Sequence, residues 1–329
     1  MTEHPDDLAE LLTAASVRHL QCPVIVENLR PLSGGASADT WRFDALLGKE
    51  RKELILRLAP PGGRDPIRID RKTEAQLQQL AIKAEVPVAP VLFVLDEEDG
   101  LGMGYAMERI EGETIARKIL SNEEYAKART QLAQQCGEIL ARIHSIETGT
   151  LPSSLQALPA EKLLKTMRSL YTAFEQDHPV FEFAFRWLLD HIPENKTLRL
   201  VHGDFRNGNF IVGPEGIRAV LDWELAHLGN PMEDLGWICV NSWRFGNIDL
   251  PVGGFGTREQ LFAGYEAAGG KKVDPKVVHF WEVFGTLKWG FACIMQAFTH
   301  LMGAKRSVEL AAIGRRVSET EIDLLNLLQ

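Results

Sequence analysis

The side chains best suited to chemistry lie in one short segment of the second half of the chain. Asp204 and Asn209 stand five positions apart in a glycine-containing loop that follows the apolar run Leu198–Val201. Asp222 comes directly after a second apolar run, Ile217–Leu221. A carboxylate can take a proton from an attacking hydroxyl, whereas carboxylate and amide oxygens are hard ligands that suit Mg²⁺. A base next to two such ligands is what phosphoryl transfer requires.

The spacing of these residues supports the same interpretation. His202, Asp204 and Asn209 fit the pattern H-x-D-x-x-x-x-N of a kinase catalytic loop, and Asp222 falls where the metal-binding Asp of the kinase D-F-G segment would come. An isolated D-x-x-x-x-N is more often a polar surface turn. The conjunction of a preceding strand, a following Asp and an upstream glycine turn and cation favours the catalytic interpretation.

Composition limits the class of protein. The 329 residues are 45% hydrophobic and 25% charged, which is typical of a globular protein with room for two lobes. A formal net charge of -9 does not supply the basic surface that nucleic-acid binding needs. The four cysteines contain no C-x-x-C pair, so reduced thiols are expected. The acidic start and the absence of a long uninterrupted apolar stretch predict a cytoplasmic protein without a membrane span.

The hydrophobic pattern predicts a β-rich first third and a helical remainder. Five short strands and one helix, beginning at Asp70 and ending near Glu85, are expected before residue 111. The strands are expected at Val24–Val26, Thr40–Phe43, Leu54–Leu58, Val88–Leu95 and Met103–Ile110. The predicted division is therefore residues 1–110 for a nucleotide-binding lobe and residues 111–329 for a helical lobe that holds the catalytic loop and the acceptor site.

The second lobe is expected to be helical except around the catalytic loop. Helical spacing recurs from Glu123, in Glu161–Phe174 and Phe181–Ile192, and again after Met232. The last helices are expected at Arg258–Ala268, Val277–Leu301 and Val308–Leu328. They are expected to bury Trp281 and Phe284, and the tryptophans in general are interpreted as core residues.

These motifs together resemble a known family. His202–Asn209, followed by Leu221–Glu224, Gly229–Pro231 and Asp234–Gly236, is similar to the aminoglycoside phosphotransferase and choline kinase-like family of small-molecule kinases. The H-G-D-F-R and L-D-W-E-L sequences are most similar to the kinase-like domains associated with acyl-CoA dehydrogenases, a branch tied to phosphorylation of hydroxyacyl substrates. The resemblance extends from about Leu29 to Gly236.

The resemblance implies an α+β, protein-kinase-like two-lobed fold and an enzyme that uses ATP and Mg²⁺. Asp204 becomes the catalytic base, and Asn209 and Asp222 become the magnesium ligands. Arg206 stands where protein kinases often place a Lys that contacts the transferred phosphate, although a structural salt bridge is an equal alternative. His202 is expected to orient the loop and Asp234 to brace it.

The same resemblance assigns a nucleotide site in the first lobe. Arg57 falls at the position of the ATP-orienting Lys, and Glu74 would be its ion-pair partner, although both could instead be exposed surface residues. Arg in place of Lys changes the geometry of phosphate binding. The phosphate-covering turn is expected at Ser33, Gly34, Gly35, Ala36 and Ser37, where an ordinary hairpin turn is the alternative. The hinge that meets the adenine is expected at Met107, Glu108, Arg109 and Ile110.

The predicted function is transfer of the γ-phosphate of ATP to a hydroxyl of a small molecule. From Asn241 onward the chain holds nine acidic and ten basic residues, which does not indicate an anionic basin for polycationic aminoglycosides. A hydroxyacyl-CoA or hydroxy acid is favoured, with a functional link to an acyl-CoA dehydrogenase, whereas an aminoglycoside, sugar or amino alcohol remains an alternative acceptor. The alternative class is a non-catalytic pseudokinase that binds nucleotide and regulates a partner enzyme. Gly264–Lys272 comes near a P-loop but lacks the G-K-[ST] ending.

Overall fold

The computed structural model describes residues 5–32, 39–60, 68–194 and 197–329. Its first part contains the strands β1 (Ile25–Pro31), β2 (Asp39–Leu47), β3 (Glu50–Leu58), β4 (Val91–Val94) and β5 (Gly104–Glu108). They form one antiparallel sheet in the order β1-β2-β3-β5-β4. All five predicted strands are therefore confirmed, and each overlaps its expected range, although β1, β2 and β3 are longer than expected.

Helix α2 (Arg71–Lys83) connects β3 to β4. It begins where the sequence predicted, because the Asp70 carboxylate accepts a hydrogen bond of 2.7 Å from the Thr73 amide and caps the first turn. Leu77 and Ala81 are fully buried, so the helix is held against the rest of the molecule by its apolar face.

A further helix, α1 (Pro5–Leu20), packs on the sheet. Leu8 and Leu12 are buried in one cluster with Phe43 of β2. Arg18 also forms an ion pair of 2.7 Å with Asp99. Only one helix is predicted from the sequence in this part of the chain, although Leu8, Leu12 and Ala15 recur at helical spacing in α1.

The second part is mainly helical, as predicted. Its helices are α3 (Ala116–Ser121), α4 (Ala126–Ser145), α5 (Ala160–Thr172), α6 (Pro179–Asp190), α7 (Met232–Trp237), α8 (Arg258–Ala267), α9 (Pro275–Leu301), α10 (Val308–Gly314) and α11 (Val317–Leu327). Short strands lie between α6 and α7 and form two antiparallel pairs. These are β6 (Arg199–Val201) with β9 (His227–Gly229), and β7 (Phe210–Gly213) with β8 (Gly216–Val220).

The C-terminal helices form an apolar core of their own. Trp281 is 1% exposed and Phe284 is 2% exposed, which confirms the prediction that both are buried. They share a cluster with Phe181 and Phe185 of α6. The single helix expected over Val308–Leu328 is instead two helices, which are separated by a turn at Arg315–Arg316.

The sheet followed by a mainly helical part confirms the predicted α+β, two-lobed fold class. The division at residues 110 and 111 stays a prediction. None of the helices within the described residues is both long and apolar enough to cross a membrane.

Candidate active site

The catalytic-loop segment begins at the end of β6 in a backbone conformation that requires glycine. Gly203 has a φ of +78°, and a Cβ atom built there would lie 2.4 Å from the carbonyl oxygen of Leu225. Phe205 anchors the next turn, because its side chain is fully buried and its ring centroid lies 4.8 Å from that of Phe210. The loop is thus fixed on both sides of Asp204.

Asp234 on α7 braces this loop. One carboxylate oxygen accepts the amide of His202 at 2.8 Å, and the other accepts the amide of Gly203 at 2.9 Å. Burial alone would raise the pKa of Asp234, but the hydrogen bond and charge interaction with His144, together with the charge interaction with His202 and the hydrogen bond from its amide, hold that pKa below its usual value. The bracing contact expected from the sequence is present.

His202 orients the loop through both ring nitrogens. Its Nε2 donates to the carbonyl of Leu221 at 3.0 Å, and its Nδ1 accepts the Asp204 amide at 3.2 Å. Burial lowers the pKa of His202, and the neighbouring Asp234 offsets this only in part. A neutral imidazole with both nitrogens occupied holds the backbone and leaves proton transfer to another group.

Three side-chain donors fix the carboxylate of Asp204. Trp237 Nε1 donates to Oδ1 at 2.8 Å, and Arg206 Nε donates to the same oxygen at 3.0 Å. Asn209 Nδ2 donates to Oδ2 at 2.7 Å. Because a carboxylate oxygen can accept two hydrogen bonds, Oδ2 keeps capacity for one more donor, such as a substrate hydroxyl.

Asn209 and Asp222 present the oxygen atoms that a metal ion would need. Asn209 Nδ2 also donates to the Asp204 carbonyl at 2.9 Å, which leaves its Oδ1 for other partners. The Leu221 amide donates to the Asn209 carbonyl at 2.8 Å, so the two segments run side by side. Asp222 adopts a left-handed conformation with φ 65° and ψ 62°, an uncommon backbone state for Asp that recurs at functional sites.

The donor chemistry fits Mg²⁺. Within the described parts of the chain, neither Asn209 Oδ1 nor Asp222 Oδ2 has a hydrogen-bond partner, and the Asp222 side chain is 31% exposed. One amide oxygen and one carboxylate are hard ligands of the kind that hold Mg²⁺ together with phosphate oxygens and water.

Arg57 on β3 lies between two carboxylates. Its Nη2 is 3.2 Å from Glu74 Oε1 and 3.2 Å from Asp222 Oδ1. Burial by itself would lower the pKa of Arg57, but Glu74, Tyr105 and Asp222 raise that pKa above its usual value, so the guanidinium stays charged. The structure therefore contains the predicted pairing of Arg57 with Glu74.

The network extends to two residues that the sequence analysis missed. Arg71 Nη1 donates to Glu74 Oε2 at 2.6 Å, and Arg71 Nη2 lies 3.6 Å from Glu224 Oε2. The Ile69 amide donates to the Glu224 carbonyl at 2.9 Å. The start of α2 is thus tied to the segment that carries Asp222. The spacing of three between Arg71 and Glu74, which places both on one helix face, was the available signal.

The predicted hinge begins in the last two residues of β5, Met107 and Glu108, and continues past the end of the strand. Its Glu108 amide donates to the Pro90 carbonyl and its Arg109 amide to the Glu53 carbonyl, both at 2.9 Å. The Ile110 amide has no hydrogen-bond partner among the residues that the structure describes. Met107 is buried and pairs with Ile55 of β3. Of the four predicted hinge residues, Ile110 is therefore the one whose N–H has no partner within the described residues, and its contact with adenine stays a prediction. The predicted phosphate turn, Ser33–Ser37, lies outside the described residues.

The tryptophans divide into two groups. Trp223 and Trp281 are core residues, as expected. Trp237 and Trp243 are buried as well, but they also contact the catalytic loop. Trp237 donates to Asp204, and the guanidinium carbon of Arg206 lies 4.4 Å from the ring centroid of Trp243. Arg206 thus forms the structural salt bridge to Asp204 that was the alternative to a phosphate contact. Trp237 was missed, although it follows Asp234 by three residues on the same face of α7.

With this geometry in place, comparison with known proteins gives the family. The model of the phosphotransferase enzyme family matches residues 28–270. The chain belongs to this family. The enzyme class predicted from the sequence, a small-molecule phosphotransferase, is confirmed by this membership. The matched range contains every residue of the candidate site.

Curated relatives of this family member are much longer proteins. Mouse acyl-CoA dehydrogenase family member 10 is 31% identical over 198 residues, which cover 57% of this chain and 18% of that protein. Human acyl-CoA dehydrogenase family member 11 is 31% identical over 198 residues, with coverage of 57% and 25%. The matched segment spans about a fifth to a quarter of the length of these relatives. The predicted resemblance to kinase-like domains associated with acyl-CoA dehydrogenases is confirmed.

Solved structures agree with the fold. Spectinomycin phosphotransferase APH(9)-Ia, in complex with ADP and spectinomycin, has a TM-score of 0.69 at 16% identity and covers 98% of this chain and 99% of its own. Plasmodium vivax ethanolamine kinase has a TM-score of 0.62 at 13% identity, with coverage of 97% and 89%. At these identities the likeness concerns the fold.

Proposed function

We propose that the protein transfers the γ-phosphate of ATP to a hydroxyl group of a small molecule, with Asp204 as the base. The observation that carries the proposal is the three-donor arrangement around the Asp204 carboxylate, next to the oxygen atoms of Asn209 and Asp222. Asp204 Oδ2 accepts the hydrogen bond of the acceptor hydroxyl and then its proton. Holding the carboxylate in one orientation lowers the cost of reaching the transition state.

The remaining residues serve the nucleotide. Asn209 and Asp222 would hold Mg²⁺, which when bound supplies charge neutralisation at the phosphate oxygens. Arg57 directs its charge toward the phosphates while Glu74 fixes its position, and the hinge amide of Ile110 meets the adenine. Ser33–Ser37, which lie outside the described residues, are proposed to contact the phosphates. Arg206, stacked on Trp243, positions Asp204 and adds positive charge beside it.

The acceptor is proposed to be a neutral or anionic hydroxy compound, with a hydroxyacyl-CoA or hydroxy acid favoured. Arg206 and Lys288 both lie beside the catalytic loop, since Lys288 Nζ donates to the Gly203 carbonyl at 3.0 Å and sits 4.6 Å from the Trp237 ring centroid. Two cations near the base disfavour a polycationic aminoglycoside. The curated relatives are acyl-CoA dehydrogenase family members, which supports a functional link to that class of enzyme.

Mass spectrometry tests the proposal and identifies the acceptor class. A pool of hydroxy acids, hydroxyacyl-CoA thioesters, aminoglycosides, sugars and amino alcohols is incubated with the protein, ATP and Mg²⁺. We expect one or more pool members to gain a single phosphoryl group with the parent protein and not with Asp204→Asn. A phosphorylated aminoglycoside or amino alcohol in place of an acyl compound would contradict the acceptor class but not the kinase.

Arg57 favours a second candidate, a nucleotide-binding pseudokinase. Its ion pair with Asp222 occupies one oxygen of a proposed metal ligand, and a scaffold that binds nucleotide without metal could use the cation in place of Mg²⁺. Thermal unfolding with ATP separates the two functions. Stabilisation that requires Mg²⁺ supports the kinase, whereas equal stabilisation with EDTA supports the pseudokinase.

A further inference from the structure

A cavity of about 440 Å³ lies behind the catalytic loop. It opens to the surface and is lined by the last turn of α4, the segment before α7 and the connection from α8 to α9. Gly269–Lys272, the last part of the near P-loop segment Gly264–Lys272, forms part of its wall. Among the described residues that line it, none belongs to the catalytic loop His202–Asn209, so the cavity is separate from the proposed phosphoryl-transfer site.

The lining is rich in positive charge. Arg199, Lys271 and Lys272 face the cavity, and Asp274 is the one acidic residue of the described lining. The Asp274 carboxylate already accepts the Lys276 amide at 2.9 Å as the cap of α9. In the described part of the chain, the guanidinium of Arg199 donates only to the neighbouring Leu198 carbonyl, at 3.2 Å. Three cations with little acidic compensation stand out in a chain of net charge -9.

The deeper wall is polar as well. Tyr265 and His144 both line the cavity, and they are 2% and 4% exposed. Tyr265 Oη and His144 Nδ1 lie 3.0 Å apart. Because His144 Nε2 donates to the Asp234 carboxylate, its Nδ1 accepts the Tyr265 hydroxyl. The donors for an anion are therefore the three cations, and these two buried side chains link the cavity wall to Asp234.

Hydrogen bonds connect the wall of the cavity to the catalytic loop. His144 Nε2 lies 3.0 Å from Asp234 Oδ2, the oxygen that also accepts the His202 amide at 2.8 Å. The other Asp234 oxygen accepts the amide of Gly203, the residue before Asp204. A change in the position of His144 therefore reaches the backbone of the proposed base through one buried carboxylate.

We propose that this cavity is a second binding site, for a small phosphate-bearing anion, and that its occupancy adjusts the catalytic loop through His144 and Asp234. Phosphate oxygens match the charge and the donor geometry of one Arg and two Lys side chains. The volume lies within the range of about 300–1,000 Å³ that is usual for small-molecule sites. The bound anion stiffens the His144–Asp234 connection and thereby the loop that carries Asp204.

Binding of inorganic phosphate tests the site. The titration is followed by calorimetry in saturating Mg·ADP, so that the proposed nucleotide site is already filled. Lys271→Gln/Lys272→Gln changes two exposed side chains and should not affect folding, and we expect it to weaken phosphate binding at least ~tenfold, as the loss of charge-assisted contacts would. Adding Arg199→Gln should weaken binding further.

The matched control is Lys305→Gln/Arg306→Gln. These residues lie beyond the opposite end of α9, roughly 40 Å away along a helix of 27 residues, and the variant removes the same charge. It should bind phosphate like the parent. Equal weakening in both double variants, or no binding to the parent, would overturn the proposal. Asp204→Asn should also bind like the parent, so failure of the kinase proposal leaves this result interpretable.

Hydrogen exchange tests the connection to the loop. The amides of His202 and Gly203 donate to Asp234, and phosphate should slow their exchange in the parent but not in Lys271→Gln/Lys272→Gln. Unchanged exchange at both amides under saturating phosphate would show that the anion does not act on the catalytic loop.

Discussion

Asp204 is the residue on which the proposed chemistry depends, and its hydrogen bonds explain how the carboxylate is held in one orientation. Two donors hold Oδ1 and one holds Oδ2, and they come from two parts of the chain: Trp237 from α7, and Arg206 and Asn209 from the catalytic loop itself. The indole of Trp237 can donate but cannot accept, so it holds the carboxylate without competing for the proton.

Trp237→Phe tests how much the hydrogen bond from Trp237 to Asp204 contributes to the rate. The substitution keeps an aromatic ring but removes the N–H, and a hydrogen bond to a charged group is worth about 1.5–3 kcal/mol. We expect kcat to fall by roughly tenfold or more while the KM for ATP stays nearly constant, because Trp237 contacts the base and not the proposed nucleotide residues. Steady-state kinetics measure both values.

Trp289→Phe is the matched control. Trp289 belongs to the same aromatic group, with its ring centroid 4.8 Å from that of Trp243, but it does not contact Asp204. Its kcat should remain within about twofold of the parent value. Equal losses in the two variants would indicate that general packing of the tryptophans, and not the hydrogen bond to Asp204, sets the rate.

At this scale the sequence predicted Asp204, Asn209 and Asp222 as a group, because their spacing is local and follows the strands. It did not predict Trp237, since a hydrogen bond across 33 positions depends on how α7 packs against the loop. Arg206 shows the opposite case: the residue was identified, but only the structure shows its salt bridge to Asp204 and its stacking on Trp243.

At the scale of elements, buried charge joins α2 to β3 and to the segment after β8. Glu74 is fully buried between Arg57 and Arg71, and each of these cations also lies near a second carboxylate. Removing one partner of a buried ion pair leaves charge without compensation, which typically costs about 3–5 kcal/mol.

Glu74→Gln should therefore lower the free energy of unfolding by about 3 kcal/mol, as measured by urea denaturation. Glu53→Gln is the control, because Glu53 pairs with Arg109 at 2.8 Å on the surface, where both side chains are more than a third exposed. Exposed ion pairs contribute only about 0–1 kcal/mol. Similar losses in the two variants would contradict the structural importance assigned to the buried network.

The contact between β9 and α7 should give stability a pH dependence. His227 Nε2 lies 3.2 Å from Glu233 Oε2, and both side chains are buried. Burial alone would lower the pKa of His227, but Glu233 raises that pKa above the value of 6.5 expected in the unfolded chain. The stabilisation is therefore complete below pH 6.5 and is lost as pH rises through the folded-state pKa.

His227→Gln should accordingly be less stable than the parent at low pH, with a difference that shrinks as pH rises. Urea denaturation of both proteins at several pH values on either side of 6.5 gives this difference. A difference that stayed constant or increased with pH would show that the pair with Glu233 does not protonate His227.

At the scale of the whole molecule, the β-rich first part and the helical second part meet at the candidate site. The apolar residues of the two parts recur at different spacings along the sequence. The sheet and the helical part were predictable because the hydrophobic pattern changes after residue 110. The connection between them was not, because it consists of long-range contacts: Arg57 with Asp222, and the Ile69 amide with the Glu224 carbonyl. Helix α1 packs on the sheet through Leu8 and Leu12, in a region that the sequence analysis left without secondary structure.

These contacts place the proposed nucleotide residues of the first part beside the proposed base and metal ligands of the second. Arg57 reaches Asp222 only because β3 and α2 are held against the segment that follows β8. The proposed phosphoryl transfer therefore depends on both parts of the molecule, with Asp204 as the proposed base that acts on the acceptor.

The assignment of Asp204 as the base is tested most directly by the rate of a single turnover of phosphoryl transfer. This rate is measured with saturating Mg·ATP and an acceptor found by mass spectrometry. Asp204→Asn keeps the size and most hydrogen bonds of the side chain but cannot take the proton, so the rate should fall by about 10²–10⁴-fold while the affinity for Mg·ATP is unchanged. A rate equal to that of the parent, at equal nucleotide affinity, would contradict the assignment of Asp204 as the base.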